Sequence, residues 1–297
     1  MDLLSIDSLS DAQIEELLDR SQLLFEDDRS DTKPVRTLAG RIVFNLFYES
    51  STRTAMSFAT ATHRLGASAL SLSVEHSSVK KGETLEDTAR TLNAMRPDAL
   101  VIRHRDNGAP AIVAEIMDAP VLNAGDGTNE HPTQALLDAA TIVRRVGHIE
   151  GLKIAVCGDI RHSRVARSNA KLLPRLGADV RLAGPPELMP GDVPAITIDE
   201  AIAGADVVMM LRVQRERLES DLGDAPGEYL ARYGLTEARL ASAAPDALVM
   251  HPGPMNRGVE IAGTVADDPQ RSLIALQVEM GVAVRMACLE MLVGSKP

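Results

Sequence analysis

The chain has no tryptophan, and its only aromatic residues are three tyrosines and four phenylalanines among 297 residues. Base-stacking platforms for single-stranded nucleic acid need more rings than this, so aliphatic side chains must fill the cores. Basic charge is scarce as well: 31 Lys and Arg stand against 42 Asp and Glu, a formal net charge of −11. That balance argues against general attraction to nucleic acid or an anionic membrane, and neither is expected as a partner. An anionic ligand must therefore be met by a local cluster of cations. Cysteine is limited to Cys157 and Cys288, far apart and in apolar segments, which fits reduced buried thiols in a cytosolic protein better than a disulfide frame. Tight Cys/His ligand spacing is missing, and no metal is expected. No long apolar run is free of charge. Leu273 to Val293 is interrupted by Glu279, Arg285 and Glu290, as in a buried helix rather than a membrane span. The acidic, amphipathic opening MDLLSIDSLSDAQIEELL is unlike a secretory signal, so a soluble, cytoplasmic protein is expected.

What is present is a 45% apolar chain with about two domains' worth of length, at roughly 150 residues each. Ser10 and Gln13 form a capping-box signature ahead of Ile14, Leu17 and Leu18 at helical spacing. RIVFNLF at 41 to 47 then reads as a strand, and AMSFATATHRLG as a helix closed by Gly66. ASALSLS alternates as a second strand, Thr84 with Asp87 caps a second helix, and ALVIRH at 99 to 104 is a third strand. Another helix and a short strand follow over 111 to 124, and a long helix begins at His131 with Pro132 in its first turn. The pattern then restarts, with LKIAVCGD, ADVRLAG, VVMMLR and ALVM as four strands separated by helical stretches. Such alternation implies right-handed crossovers and parallel sheets. The expected fold class is α/β: two doubly wound parallel-sheet domains, residues 1–134 and 135–271, with the active site in the cleft between them. The C-terminal helix, 272–297, is expected to pack back on the first domain.

Ligands of doubly wound sheets sit beyond the carboxyl ends of the strands, so the loops after the strands carry the information. After RIVFNLF come Tyr48, Glu49 and Ser50, then Ser51-Thr52-Arg53-Thr54. Hydroxyls, a guanidinium and free backbone N–H groups at a helix start favour a bound phosphate. A plain N-cap explains the hydroxyls alone, but helix starts favour acidic residues, so Arg53 points to an anion. Arg103-His104 follows the third strand, and His131-Pro132-Thr133-Gln134 opens the long helix, where an imidazole and an amide could meet a carbonyl group. Arg164 lies after LKIAVCGD, and Arg212-Val213-Gln214 after VVMML. Each arginine alone could be a solvated surface residue. Several cationic strand ends in an acidic protein weaken that explanation. His251-Pro252-Gly253-Pro254 follows ALVM as a rigid turn with two N–H groups removed and carbonyls left to accept. CGDIRHSR stands where a GxGxxG would, and no P-loop lysine pattern occurs, so no cofactor is expected.

These segments, in order from Phe44 to Met286, resemble the aspartate/ornithine transcarbamoylase family, and most its aspartate carbamoyltransferase catalytic chains. The resemblance implies carbamoyl transfer from carbamoyl phosphate to the α-amino group of L-aspartate, giving N-carbamoyl-L-aspartate and phosphate in pyrimidine (UMP) synthesis. Residues 1–134 would be the carbamoyl-phosphate-binding domain and 135–271 the aspartate-binding domain. By the same resemblance Ser51, Thr52, Arg53, Thr54 and Arg103 hold the phosphate. Thr54, Arg103 and His131 polarise the carbonyl, and Gln134 and the carbonyls of Gly253 and Pro254 bind the carbamoyl NH2. The family also implies a cis bond between Gly253 and Pro254. Arg164, Arg212 and Gln214 would receive aspartate. Lys81, accompanied by Ser77, would reach into a neighbouring subunit's site, making a homotrimer with shared active sites. The family also admits a regulatory chain or a dihydroorotase-like partner on the trimer. Ala59 stands where relatives often carry Glu, and Gly253 where several carry Leu or Ala. His251 is taken as structural.

Two other readings compete with this one. An enzyme for another amine, such as ornithine, would share the phosphate half but call for an acidic residue and a Cys-bearing loop where His-Pro-Gly-Pro stands. A binding protein without activity would be expected to have lost some of Thr54, Lys81, His131, Gln134, Arg164 and Arg212, all of which are present.

Overall fold

The computed structural model describes residues 1–27, 29, 36–73, 82–192, 194, 196–213 and 227–294. They form two compact units, Met1–Ala140 with Val278–Pro297, and Thr141–Gln277.

The first unit opens with α1 (Asp11–Asp27). Both halves of its capping box are made: Gln13 N–H donates to Ser10 Oγ at 3.3 Å, and Ser10 N–H to Gln13 Oε1 at 2.9 Å. β1 (Ile42–Phe47) leads into α2 (Thr52–Arg64), and β2 (Ser68–Ser73) is followed by α3 (Leu85–Ala94). Then come β3 (Ala99–His104), α4 (Ala109–Ala114), β4 (Val121–Asp126) and α5 (Pro132–Val146). The four strands are parallel, in the order β2-β1-β3-β4. On one face Phe44 and Leu46 meet Leu100, Ile102, Val113, Met117 and Val121 in a mainly aliphatic core. β1 alternates as a strand must, so Val43, Asn45 and Phe47 point to the other face.

The second unit contains β5 (Lys153–Cys157), α6 (Arg164–Arg175), β6 (Asp179–Ala183), α7 (Ile198–Ile202) and β7 (Val207–Met210). The short helices α8 (Glu228–Tyr233) and α9 (Glu237–Leu240) precede β8 (Leu248–Met250), and α10 (Gly263–Ala266) follows it. The order β6-β5-β7-β8 is again fully parallel. Its core is built from small and aliphatic residues such as Ala155, Ile198, Ile202, Val208, Met210 and Val249, with no aromatic among the fully buried members. The scarcity of rings is met by close packing of short side chains. The last helix, α11 (Ile274–Val293), buries Met280, Val284, Ala287, Leu289 and Leu292. No helix among the described residues is long and apolar enough to cross a membrane.

Both sheets have one switch point each. The chain leaves β1 for β2 on one side and returns to β3 on the other, and β5, β6 and β7 repeat that path. Loops diverge above such a point, leaving a crevice at the carboxyl ends of the two central strands.

Candidate active site

In the first unit the switch point lies between Phe47 and Arg103, which are paired residues of β1 and β3. Tyr48 N–H donates to the Arg103 carbonyl at 2.9 Å, so the chain leaving β1 is tied to the end of β3. Ser51 then caps α2, its Oγ accepting from Thr54 N–H at 3.4 Å. Thr52 and Arg53 are exposed in the first turn, while Thr54 is buried. No acidic residue occupies that turn. The helix thus opens with a positive dipole end, hydroxyls and a guanidinium turned to solvent, an anion site in its chemistry.

Arg103 reaches the same sheet edge from β3. Its Nη2 donates to Glu49 Oε1 at 3.0 Å and its Nη1 to the Ala124 carbonyl at 3.5 Å. The side chain is only 11% exposed, so the guanidinium is held in place rather than free to wander. Beside it, His104 stacks on Tyr48 with centroids 4.6 Å apart. Burial holds the His104 imidazole below its usual range, and its Nδ1 accepts the Asp106 N–H at 3.0 Å. A neutral ring with its proton on Nε2 follows.

β4 carries two buried polar residues, Asn123 and Asp126. Asp126 accepts from Gly108 N–H at 2.8 Å, Asn129 Nδ2 at 3.0 Å, Glu130 N–H at 3.1 Å and Asn123 Nδ2 at 2.8 Å. Glu130 in turn accepts from Ile6 N–H at 3.0 Å. This network fixes the entry to α5, where the His131 carbonyl takes the first helical bonds from Gln134 and Ala135. His131 is 3% exposed and Gln134 is also buried. Gln134 Nε2 donates to Asp138 Oδ1 at 2.9 Å.

In the second unit the crevice lies above β5 and β7. Leu211 N–H donates to the Cys157 carbonyl at 2.7 Å. Gly158 at φ +130° passes so close to Leu211 that a Cβ would sit 2.8 Å from its carbonyl oxygen, so only glycine fits there. Past it, fully buried Asp159 accepts the His162 N–H at 3.1 Å and faces His162 Nδ1 at 3.0 Å. Ser163 caps α6 through Ala166 N–H at 3.1 Å, which puts Arg164 in the first turn. Arg212 lies two residues past the end of β7. Arg164 and Arg212 therefore both stand at the switch point of this sheet.

The His-Pro-Gly-Pro turn after β8 contains the cis Gly253–Pro254 bond that the family resemblance implied. His251 N–H donates to Gln277 Oε1 at 2.9 Å, and its Nδ1 accepts the Gly253 N–H at 2.9 Å. The proton must then be on Nε2, which faces Glu260 Oε1 at 3.3 Å, both side chains being fully buried. Asn256 N–H also donates to Glu260. Gly253 has φ +64°, a left-handed backbone that favours glycine over the larger residues of some relatives.

Ser77, Lys81 and Gln214 lie outside the described residues. Glu49, Asp138 and Glu260 were missed in the sequence although each holds a site residue or its loop. Only the i to i+4 spacing of Gln134 and Asp138 offered a readable signal. A cavity of about 830 Å³, lined by Met1, Asp2, Leu17, Arg20, Met117 and Pro120 among others, opens before the start of β4. It lies at the amino ends of the strands, away from the cationic loops. Among the described residues no group of three His, Cys, Asp or Glu side chains could hold a metal ion, and both cysteines are free and buried.

Residues 1–144 match the model of the carbamoyl-phosphate-binding domain of aspartate/ornithine carbamoyltransferases, and 150–292 that of the Asp/Orn-binding domain. An aspartate carbamoyltransferase catalytic subunit of Granulibacter bethesdensis is 57% identical over 296 residues, covering 98% of this chain and 94% of its own. One from Rhizorhabdus wittichii is 58% identical over 282 residues, covering 93% and 89%. Among solved structures, aspartate transcarbamoylase of Trypanosoma cruzi in complex with carbamoyl phosphate and aspartate superposes with a TM-score of 0.86 at 35% identity, covering 97% and 95%. Ornithine carbamoyltransferase of Pyrococcus furiosus gives 0.88 at 29%, covering 100% and 98%. With both domain models matched and near relatives alike over almost their whole length, the chain belongs to the aspartate/ornithine carbamoyltransferase family.

Proposed function

We propose that the protein is an aspartate carbamoyltransferase, transferring the carbamoyl group of carbamoyl phosphate to the α-amino group of L-aspartate. The observation that carries this reading is the pairing of an anion-ready helix start, Ser51 to Thr54, with half-buried Arg103 at one switch point. The second unit carries two arginines, Arg164 and Arg212, at its own switch point. A phosphate needs the first set and a dicarboxylate the second. Ornithine has a carboxylate for only one of the two arginines, and its side-chain ammonium is repelled by the other.

Ser51, Thr52, Arg53 and Thr54 bind the phosphate with Arg103. The aspartate amine attacks the carbamoyl carbon, the C=O electron pair moves to oxygen, and Thr54, Arg103 and His131 stabilise the oxyanion. Collapse breaks the C–O bond to phosphate, which leaves with the proton lost by the amine. Gln134 and the carbonyls of Gly253 and Pro254 hold the NH2, while Arg164 and Arg212, with Gln214, hold the carboxylates. No side-chain nucleophile is needed, and catalysis is orientation plus charge stabilisation. The reaction serves pyrimidine synthesis in the cytoplasm. The working form is a homotrimer in which Lys81, with Ser77, completes a neighbour's site.

Supplying carbamoyl phosphate with L-aspartate or L-ornithine and measuring carbamoylated product tests the reading. Product from aspartate is expected. Product from ornithine alone overturns the acceptor, and turnover with neither overturns the activity.

A further inference from the structure

Asp138 is fully buried, on the α5 turn after Gln134, and plays no part in the transfer as written above. Its Oδ1 accepts from Gln134 Nε2 at 2.9 Å. A carboxylate accepts and does not donate. The Gln134 amide is therefore fixed with its NH2 toward Asp138, which leaves its carbonyl oxygen as the end that can be offered elsewhere. Turned the other way, the amide would present N–H donors.

A buried carboxylate is favoured by positive charge in its surroundings, and the charge of Arg285 on α11 acts on Asp138. Arg285 is buried, its Nη1 donates to the Gly281 carbonyl at 2.9 Å, and its guanidinium lies 5.1 Å from the centre of the Phe58 ring on α2. Burial lowers the Arg285 pKa to about 10, with Asp138 among the opposing influences that favour its charge. The guanidinium thus keeps its positive charge at neutral pH, in a shared electrostatic environment with both Asp138 and Arg103.

We infer that Asp138 is a positioning residue that sets the Gln134 amide to accept from the carbamoyl NH2 and so makes the site selective for a carbamoyl over an acyl phosphate. The inference rests on the proposed carbamoyl-phosphate reading and adds the chemical basis of its selectivity. An acyl phosphate such as acetyl phosphate has the same phosphate and carbonyl but a methyl group in place of NH2. It can use Arg53, Thr54 and Arg103, but it has nothing to donate to Gln134. Asn at position 138 can donate as well as accept, so the Gln134 amide would lose its fixed sense.

The experiment is a pair of binding titrations on the full-length protein, one with carbamoyl phosphate and one with acetyl phosphate, for wild type and Asp138→Asn. Wild type is expected to favour carbamoyl phosphate. In Asp138→Asn the carbamoyl phosphate Kd should rise about tenfold, the scale of one net hydrogen bond, while the acetyl phosphate Kd stays within about twofold. Asp138→Glu keeps the carboxylate charge but pushes the amide out by a methylene, and it reads the same quantity should the Asn variant not fold; the same selective loss is expected. Equal weakening of both ligands marks a merely structural role and overturns the inference, as does an unchanged ratio in either variant. A wild type that binds neither ligand overturns the carbamoyl-phosphate reading itself, a separate outcome.

Discussion

Arg53 and Thr54 are sequence neighbours on one helical turn, yet Arg53 is exposed and Thr54 buried beneath the same cradle. An exposed arginine with no acidic residue in its helical turn has little structural work, so its removal separates function from folding. Arg53→Ala is expected to lower kcat/KM for carbamoyl phosphate by about 100-fold or more. Its unfolding free energy in urea should stay within about 0.5 kcal/mol of wild type. Equal losses in both would assign Arg53 to the fold. The residues with chemistry in their side chains, Arg53, Arg103, His131, Gln134, Arg164 and Arg212, were readable because they follow strands. Their partners were not. Glu49 and Arg103 lie 54 positions apart and meet only through adjacent parallel strands. In the sequence both are ordinary charges. The two cysteines show the opposite case: apolar neighbours foretold buried thiols, and burial pushes both up to about 12.

At the scale of elements, periodicity and caps placed the helices and strands well. Ser10 with Gln13 and Thr84 with Asp87 start helices where those pairs stand. β4 runs to Asp126, two residues past the end expected from apolar content, because four donors satisfy the Asp126 carboxylate inside the fold. The turn after β8 is another element whose shape comes from distant side chains. Glu260 accepts from Asn256 N–H and faces the His251 ring at 3.3 Å, and His251 holds Gly253. Glu260→Ala leaves the Asn256 N–H without its acceptor, at about 1–3 kcal/mol, and removes the carboxylate that faces the buried His251 ring. A fall of about 3 kcal/mol in unfolding free energy is expected in urea titration, together with a raised KM for carbamoyl phosphate, because the Gly253 and Pro254 carbonyls lose their frame. Unchanged stability would mean that the pair is not what holds the turn.

At the scale of the whole molecule, two units without visible sequence repeat share one strand order, β2-β1-β3-β4 and β6-β5-β7-β8. Hydrophobic runs set each strand, but many sequences suit the same path, so identity fades while topology persists. The proposed trimer makes a prediction at this scale. Arg53→Ala and Lys81→Ala chains, each inactive alone, should regain activity when unfolded together and reassembled, since one mixed site can carry neither change. No recovery in mixed trimers would exclude sharing of sites between subunits. By itself the sequence determined the α/β alternation, the acidic exterior around local cations and the family motifs, since these depend on local pattern and composition. Only the tertiary structure decided which strands adjoin and which buried acids, Asp138 and Glu260 among them, hold the site residues and their loops. Those pairings depend on sheet order, helix packing and exclusion of water, which local residue pattern does not encode.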